Sequence, residues 1–178
     1  MIINNFISVD KVKEFGLIHE NVDTKIISTC IRRAQDTTLQ DALGTSLYRE
    51  LNKRIINQGG PGGNEGITGV YEVLMKDYVW PALIAWTDYR ASKYQKRKIR
   101  NKTTGEQSDE YIAPLSKSEL TAMKDDLTSD ASRYTRLLIG HLIDSCSDNI
   151  YPEYKKEECL LQEFVPAQVE KFRSQIYS

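Results

Sequence analysis

The sequence contains no segment that resembles a targeting or membrane-spanning element. Residues 1–15 lack the basic start, the sustained apolar run and the small-residue cleavage site of a signal peptide. No stretch approaches the roughly 20 apolar residues that are needed to cross a bilayer. We therefore expect synthesis in a cytoplasm and no membrane partner.

Cysteine is scarce and widely spaced. The three cysteines, Cys30, Cys146 and Cys159, form no C-x-x-C pair, and their odd number leaves one unpaired in any intramolecular scheme. This pattern contains no zinc site of the C-x-x-C type and favours reduced thiols over a disulfide framework. It predicts reduced thiols.

Catalytic motifs are also absent. No G-x-S-x-G elbow, phosphate-binding loop of the Walker type or G-x-G-x-x-G fingerprint occurs. The two histidines, His19 and His141, have no second ligand at metal-binding spacing, and His141 falls on an apolar helix face, which predicts a packed histidine. The adjacent pair Asp125-Asp126 would point in different directions on one helix, so a two-metal nuclease is a weak alternative. We expect no enzyme activity, no metal and no cofactor.

The composition that remains is typical of a globular domain. The chain has 178 residues, 40% hydrophobic and 28% charged, with a formal net charge of -1. A chain of this length buries roughly 70% of its unfolded surface, enough for a hydrophobic core. The balanced charge excludes a protein that is basic throughout.

Helical periodicity dominates the first half. Apolar residues recur at three- and four-residue steps from Val22 to Ala34, which predicts a helix with Gln35 facing outward beside charged neighbours. A second apolar set, residues 39–55, is interrupted at Gly44, where glycine can end one helix and the next can begin. Five glycines within residues 59–66 predict a surface loop.

Two longer helices are predicted to form the centre of the fold. The first covers residues 70–98, and its Pro81 predicts a kink or break near Tyr78 to Pro81. The second begins at the capping box Ser116-Lys117-Ser118-Glu119 and carries an apolar stripe to Leu142. We expect the two to pack antiparallel. The sequence thus predicts an all-α helical bundle with a long central antiparallel helix hairpin.

A different pattern begins at Asn149. Helical periodicity is lost there, so we divide the chain into a helical-bundle domain, residues 1–148, and an extended C-terminal arm, residues 149–178. Large apolar side chains in the arm are costly to leave in water, at about 1.5–3 kcal/mol each. Either the chain's own core or a partner subunit covers them. The residues of this candidate partner-binding arm are Leu160, Leu161, Phe164, Val165, Phe172, Ile176 and Tyr177.

A basic run closes the first long helix. Six positive charges fall within ten residues: Lys93, Lys96, Arg97, Lys98, Arg100 and Lys102. One interpretation is a solvated helix C-terminus, where cations are favoured by the helix dipole. The other is nonspecific contact with nucleic-acid phosphates, with Tyr94 stacking on a base. No sequence-specific recognition motif accompanies the run.

The order of these elements resembles the head-to-tail connector, or adaptor, proteins of tailed bacteriophages, as found in phages of Bacteroides-type hosts. The similar stretches are Asn21-Val22-Asp23, residues 31–36 (IRRAQD), residues 43–48 (LGTSLY), residues 76–83 (KDYVWPAL) and residues 98–102 (KIRNK). They cover roughly residues 20–145. They consist of packing and turn residues, with no catalytic signature.

The resemblance implies a structural virion protein made in the bacterial host cytoplasm and located in the neck, at the portal vertex. Twelve copies are expected to form a ring below the portal, joining capsid to tail and extending the DNA channel. The implied partners are other copies of the chain, the portal protein and the next tail or neck ring protein. The basic run would face channel DNA or a neighbouring subunit. The alternative function is a small nonspecific nucleic-acid-binding protein that uses residues 93–102.

Overall fold

A computed structural model describes residues 4–18, 21–58, 67–101 and 117–154, with only the backbone at positions 58, 95–101, 117 and 120. The described residues form helices and turns and contain no β-strand. The helices are α1 (Val9–Phe15), α2 (Thr24–Ala34), α3 (Gln40–Gln58), α4 (Val70–Val73), α5 (Trp80–Asn101) and α6 (Lys117–Asp144). The predicted all-α fold is confirmed.

Short side chains start the first two helices. The Ser8 hydroxyl accepts a hydrogen bond from the Lys11 N–H at the start of α1, and the Asp23 carboxylate accepts one from the Lys25 N–H at the start of α2. Such caps satisfy backbone donors that have no partner within the helix. The start of α6 at Lys117 agrees with the predicted capping box, although Ser116 lies outside the described residues.

Two π-helical segments interrupt the long helices. Gln35–Leu39 joins α2 to α3, and Leu74–Val79 joins α4 to α5. The second ends two residues before Pro81, which has no N–H to donate and whose ring would crowd the carbonyl of the preceding turn. A π turn therefore lies just before Pro81, close to the place where the sequence predicts a kink or break. Within α3, Gly44 has φ +72°, a left-handed conformation that glycine adopts without a steric penalty.

The predicted antiparallel hairpin is present. Tyr78 stacks on His141 with ring centroids 4.0 Å apart, and further along the pair the Trp86 indole N–H donates to Thr135 Oγ1 at 2.9 Å. Residue numbers rise along α5 as they fall along α6, so the two helices run in opposite directions. Ala131, Leu138 and Leu142 of the predicted stripe are buried, whereas Met123 and Tyr134 are exposed. The N-terminal half of α6 is therefore only partly covered.

The N-terminal segment is held in the core by an amide side chain. Gln35 Oε1 accepts from the Phe6 N–H at 2.8 Å, and Gln35 Nε2 donates to the Asn4 carbonyl at 2.9 Å and to Tyr48 Oη at 3.0 Å. The prediction that Gln35 faces outward is wrong, because Gln35 is fully buried. Gln35 follows the buried Ile31 by four residues and so continues the buried face of α2; the prediction relied on the polarity of Gln35 and not on its spacing.

The start of the C-terminal arm lies against the helical body. Tyr151 and Tyr154 are buried, and the Tyr151 hydroxyl donates to the Val70 carbonyl at 3.1 Å. His141 Nε2 is 3.1 Å from the same hydroxyl oxygen. Because one hydroxyl proton cannot serve both contacts, Nε2 carries the hydrogen and donates it. The prediction of a packed histidine is confirmed.

The cysteines differ from the prediction in one respect. Cys30 is a buried free thiol, as expected, and burial raises its pKa. Cys146 is disulfide-bonded, so the prediction of reduced thiols is wrong at this position. Cys159 lies outside the described residues. Counting cysteines could not reveal this bond, because the count gives no distances.

Candidate functional site: an apolar groove with a buried carboxylate

A surface groove runs between the C-terminal end of α1, the start of α5 and the middle of α6. Its volume is about 480 Å³. We call it the interhelical groove. The larger apolar residues that line it are Phe15, Leu17, Trp80, Ile84, Leu127 and Tyr134.

The large apolar side chains on the α1 wall of the groove are exposed to solvent. Phe15 is 65% exposed and Leu17 is 77% exposed, while Tyr134 on the facing helix is 41% exposed. Single exposed apolar residues are normal, but a contiguous group around a concave surface is typical of an interaction site. Met123 and Leu137 add exposed apolar surface elsewhere on α6.

Asp88 is the residue that distinguishes this groove from a plain apolar depression. It lines the groove but is only 7% exposed. Its Oδ2 accepts a hydrogen bond from the Leu17 N–H at 3.0 Å. Within the described part of the chain, its Oδ1 is buried and has no hydrogen-bond partner. A buried carboxylate oxygen without a donor is costly, so it is an unusual feature in a folded protein.

The electrostatics of the groove follow from this burial. Desolvation raises the pKa of Asp88 to about 6, and the hydrogen bond from Leu17 opposes this shift. Lys76 also lines the groove, but its ammonium is 2.6 Å from Glu72 Oε1, in an ion pair with the preceding helical turn. Asp130 adds a second carboxylate on the α6 side. The groove therefore favours a cation or another strong donor over an anion.

Backbone packing fixes the position of the carboxylate. A Cβ placed on Gly16 would lie 2.8 Å from Asp88 Oδ1 and 2.5 Å from the Val12 carbonyl oxygen. Only glycine leaves enough room for α1 and Asp88 to approach this closely. The α1 end thus supplies one donor to Asp88, through Leu17, and blocks one side of the carboxylate.

The predicted basic patch is described only at its start. Lys93 is exposed, with its Nζ 4.5 Å from the centre of the Tyr89 ring. Lys96, Arg97, Lys98 and Arg100 lie on the backbone of α5, and their side chains are outside the described residues, as is Lys102. Tyr94, which the nucleic-acid interpretation of this run would stack on a base, is half-buried, and its hydroxyl accepts from Arg33 Nη1 at 3.0 Å.

The other predicted site residues lie outside the described residues. These are His19 and the seven arm residues Leu160, Leu161, Phe164, Val165, Phe172, Ile176 and Tyr177. Among the described residues, no group of three or more His, Cys, Asp or Glu side chains is placed to hold a metal ion. In that same part of the chain, no helix combines the length and the apolar character of a membrane span.

Sequence reasoning missed Asp88 and the exposed α1 wall. A signal was present, because Trp80, Ile84 and Asp88 follow one another at four-residue steps and therefore share one helix face. An acid in line with two large apolar residues is a recognisable exception to helix patterning. The sequence could not show what Asp88 contacts, because its hydrogen-bond donor, Leu17, is 71 residues away.

Fold and groove define the class as an all-α helical protein with an open, carboxylate-containing groove beside its central hairpin. The chain belongs to the family described as a family of unknown function, DUF6712, whose model matches residues 39–161, more than half of the chain. No curated protein and no solved structure matches the chain. The matched range includes Asp88, Leu127 and Tyr134 but begins after α1, which contributes the exposed wall.

Proposed function

We propose that this chain is a structural ring subunit of a tailed-phage neck, positioned below the portal to join capsid and tail and to extend the DNA channel. The observation that carries the proposal is the interhelical groove, whose apolar walls are exposed in the isolated chain. Repeated subunit contacts would cover such walls. The phage neck is proposed as the location because residues 20–145 resemble head-to-tail connector proteins.

A ring needs two different complementary surfaces on each subunit. Contacts between unlike surfaces run head to tail, and they close into a ring when the rotation between neighbours fits. The interhelical groove is one concave apolar surface, and the sequence of the C-terminal arm adds large apolar side chains such as Phe164 and Phe172. We propose that these two features of neighbouring subunits form the ring contact.

The test is the native mass of the purified full-length chain, measured over a range of concentrations, together with its binding to a purified portal ring. We expect one closed oligomer of twelve subunits that associates with the portal. Leu17→Asp and Tyr134→Asp, both at exposed positions on the groove walls, should lower the mass to that of the monomer. Ile56→Asp, at a similarly exposed apolar residue away from the groove, should leave the ring intact.

Two results would contradict the proposal. One is a chain that stays monomeric at high concentration and does not associate with the portal ring. The other is strong, steeply salt-dependent DNA binding by the monomer, which would favour the alternative of a nonspecific nucleic-acid-binding protein using Lys93 to Lys102. The engagement of Tyr94 with Arg33 counts against that alternative, because a base would have to displace the contact.

A further inference from the structure

We infer that Cys146 and Cys159 form a disulfide bond that fastens the start of the C-terminal arm to the end of α6, and that exchange with small thiols and disulfides breaks and remakes this bond. The pair is a thiol–disulfide exchange site that the proposed function does not use. It exists whether or not the chain forms a ring.

The partner of Cys146 follows from the small number of cysteines. The chain has three, and Cys146 is disulfide-bonded, whereas Cys30 is a free thiol. Cys30 is fully buried in α2, among the apolar side chains of the core, so it offers no surface to a second sulfur. Within one chain, Cys159 is the cysteine that remains.

The path of the chain after α6 is suited to this bond. α6 ends at Asp144, and the Ile150 N–H donates to the Ser145 carbonyl at 3.2 Å, so the chain turns back directly after the helix. Asn149 has φ +49°, a left-handed conformation that permits the reversal. Cys146 lies inside this turn and is half-buried. The outgoing chain therefore stays beside the helix end that carries Cys146.

The number of residues that follow the turn is small enough for the bond. Tyr154 is buried, and the Tyr71 hydroxyl donates to Glu153 Oε2 at 2.8 Å, so the chain is held against the body up to position 154. Only residues 155–158 come between this point and Cys159. Fully extended, they allow Cys159 to lie at most roughly 18 Å from position 154. The second sulfur is therefore kept close to the turn.

Thiol–disulfide exchange supplies the reaction at this site. When the bond forms, one cysteine thiolate attacks a small disulfide such as oxidised glutathione and displaces one glutathione thiol. The other cysteine then attacks the mixed disulfide and displaces the second glutathione thiol, so two electrons and two protons pass from the cysteines to glutathione. A dithiol reverses both steps. Cys30 takes no part, because it is buried and its pKa is raised by that burial.

The two states differ in how the start of the arm is attached. In the reduced chain, only noncovalent contacts such as the burial of Tyr154 hold it to the body. The disulfide adds a covalent closure and lowers the entropy of the unfolded chain, so the oxidised fold is more stable. A reducing cytoplasm keeps thiols reduced, and the arm is fastened when the chain meets an oxidising medium.

Peptide mapping of the full-length chain identifies the bond. The chain is incubated with oxidised glutathione, unfolded without reductant, treated with iodoacetamide and digested with trypsin. We expect one alkylated peptide, residues 26–32, which contains Cys30, and one disulfide-linked pair formed by residues 137–155 and 157–171. Dithiothreitol added before iodoacetamide should separate the pair and leave Cys146 and Cys159 alkylated.

Unfolding and hydrogen exchange, each measured with and without dithiothreitol, test whether the bond fastens the arm. Without reductant, the chain should unfold at a temperature about 5 °C higher, and the Tyr154 amide should exchange roughly threefold or more slowly. The Gly16 amide in the distant α1 should exchange at one rate in both states. Cys159→Ser should abolish both differences. The matched control Cys30→Ala should retain them, although its own core change lowers both unfolding temperatures.

Several results would overturn the inference. Alkylation of all three cysteines after incubation with oxidised glutathione would show that no bond forms. A chain that runs as a covalent dimer on a denaturing gel without reductant, or a linked peptide that contains Cys30, would show a different pairing. An unfolding temperature and Tyr154 exchange that do not respond to dithiothreitol would show that the bond does not fasten the arm. The ring is read separately, from the native mass in dithiothreitol.

Discussion

Leu17 and Asp88 are joined by a hydrogen bond of 3.0 Å from the Leu17 backbone N–H to Oδ2 of the carboxylate, across 71 residues of sequence. This contact fixes the end of α1 against α5 and leaves Oδ1 of Asp88 buried without a donor in the described chain. One residue therefore stabilises the position of the groove wall and carries its unsatisfied charge.

Asp88 should make stability depend on pH. Its pKa is raised from 3.8 to about 6 in the folded chain, so the folded state binds a proton more readily than the unfolded state between these values. The contribution to stability therefore rises as the pH falls through 6 and is complete below 3.8. Relative to Asp88→Asn, the wild-type chain should gain roughly 2–3 kcal/mol in free energy of unfolding from pH 8 to pH 4.

This comparison is made by urea unfolding at low protein concentration, so that the groove has no occupant. The difference between the two chains is the measured quantity, because burial lowers the pKa of His141 and acts in the opposite direction in both. A difference that does not change with pH would contradict the assignment of a buried, proton-binding carboxylate.

Gly16→Ala should destabilise the end of α1. The new Cβ would lie 2.5 Å from the Val12 carbonyl oxygen and 2.8 Å from Asp88 Oδ1, so α1 must shift away from α5. We expect a loss of about 1–3 kcal/mol in the free energy of unfolding. Glu14→Ala, at an exposed position on the same helix, should change it by less than about 0.5 kcal/mol. Equal effects of the two substitutions would contradict the close approach.

Gln35→Met should release the N-terminal segment. The substitution keeps the length of the side chain but leaves the Phe6 N–H and the Asn4 carbonyl without partners, at a cost of about 2–4 kcal/mol. Hydrogen exchange at the Phe6 amide should accelerate more than exchange in α5. The matched change Gln40→Met, at a half-buried position a turn later, should leave Phe6 exchange at the wild-type rate.

Tyr151→Phe should weaken the attachment of residues 149–154 to the body. The substitution keeps the ring but removes the hydroxyl that donates to the Val70 carbonyl and accepts from His141. We expect a loss of about 1–3 kcal/mol in thermal or urea unfolding. Tyr134→Phe, which removes a hydroxyl from an exposed ring, is the control and should have almost no effect on stability. An unchanged free energy of unfolding in Tyr151→Phe would contradict this prediction and would mean that water replaces both hydrogen bonds.

Local sequence patterns predicted the helices but not the buried polar contacts. The apolar spacing of α2, the start of α6 and the presence of Pro81 each act within a turn or two, so they could be interpreted from neighbouring residues alone. The spacing of Gln35 from Ile31 indicates the buried face, but its polar side chain is buried only because it bonds to Asn4 and Phe6, which come about thirty residues earlier. The groove was missed for the same reason.

The sequence by itself determined an all-α chain with a central antiparallel hairpin, because apolar periodicity and helix caps are properties of short segments. Only the tertiary structure decided that Asp88 meets the end of α1, that Phe15 and Leu17 remain exposed beside it, and that Gln35 is buried. These outcomes depend on contacts between segments that are distant in sequence, and such contacts follow from how the helices pack together rather than from the pattern of any one helix.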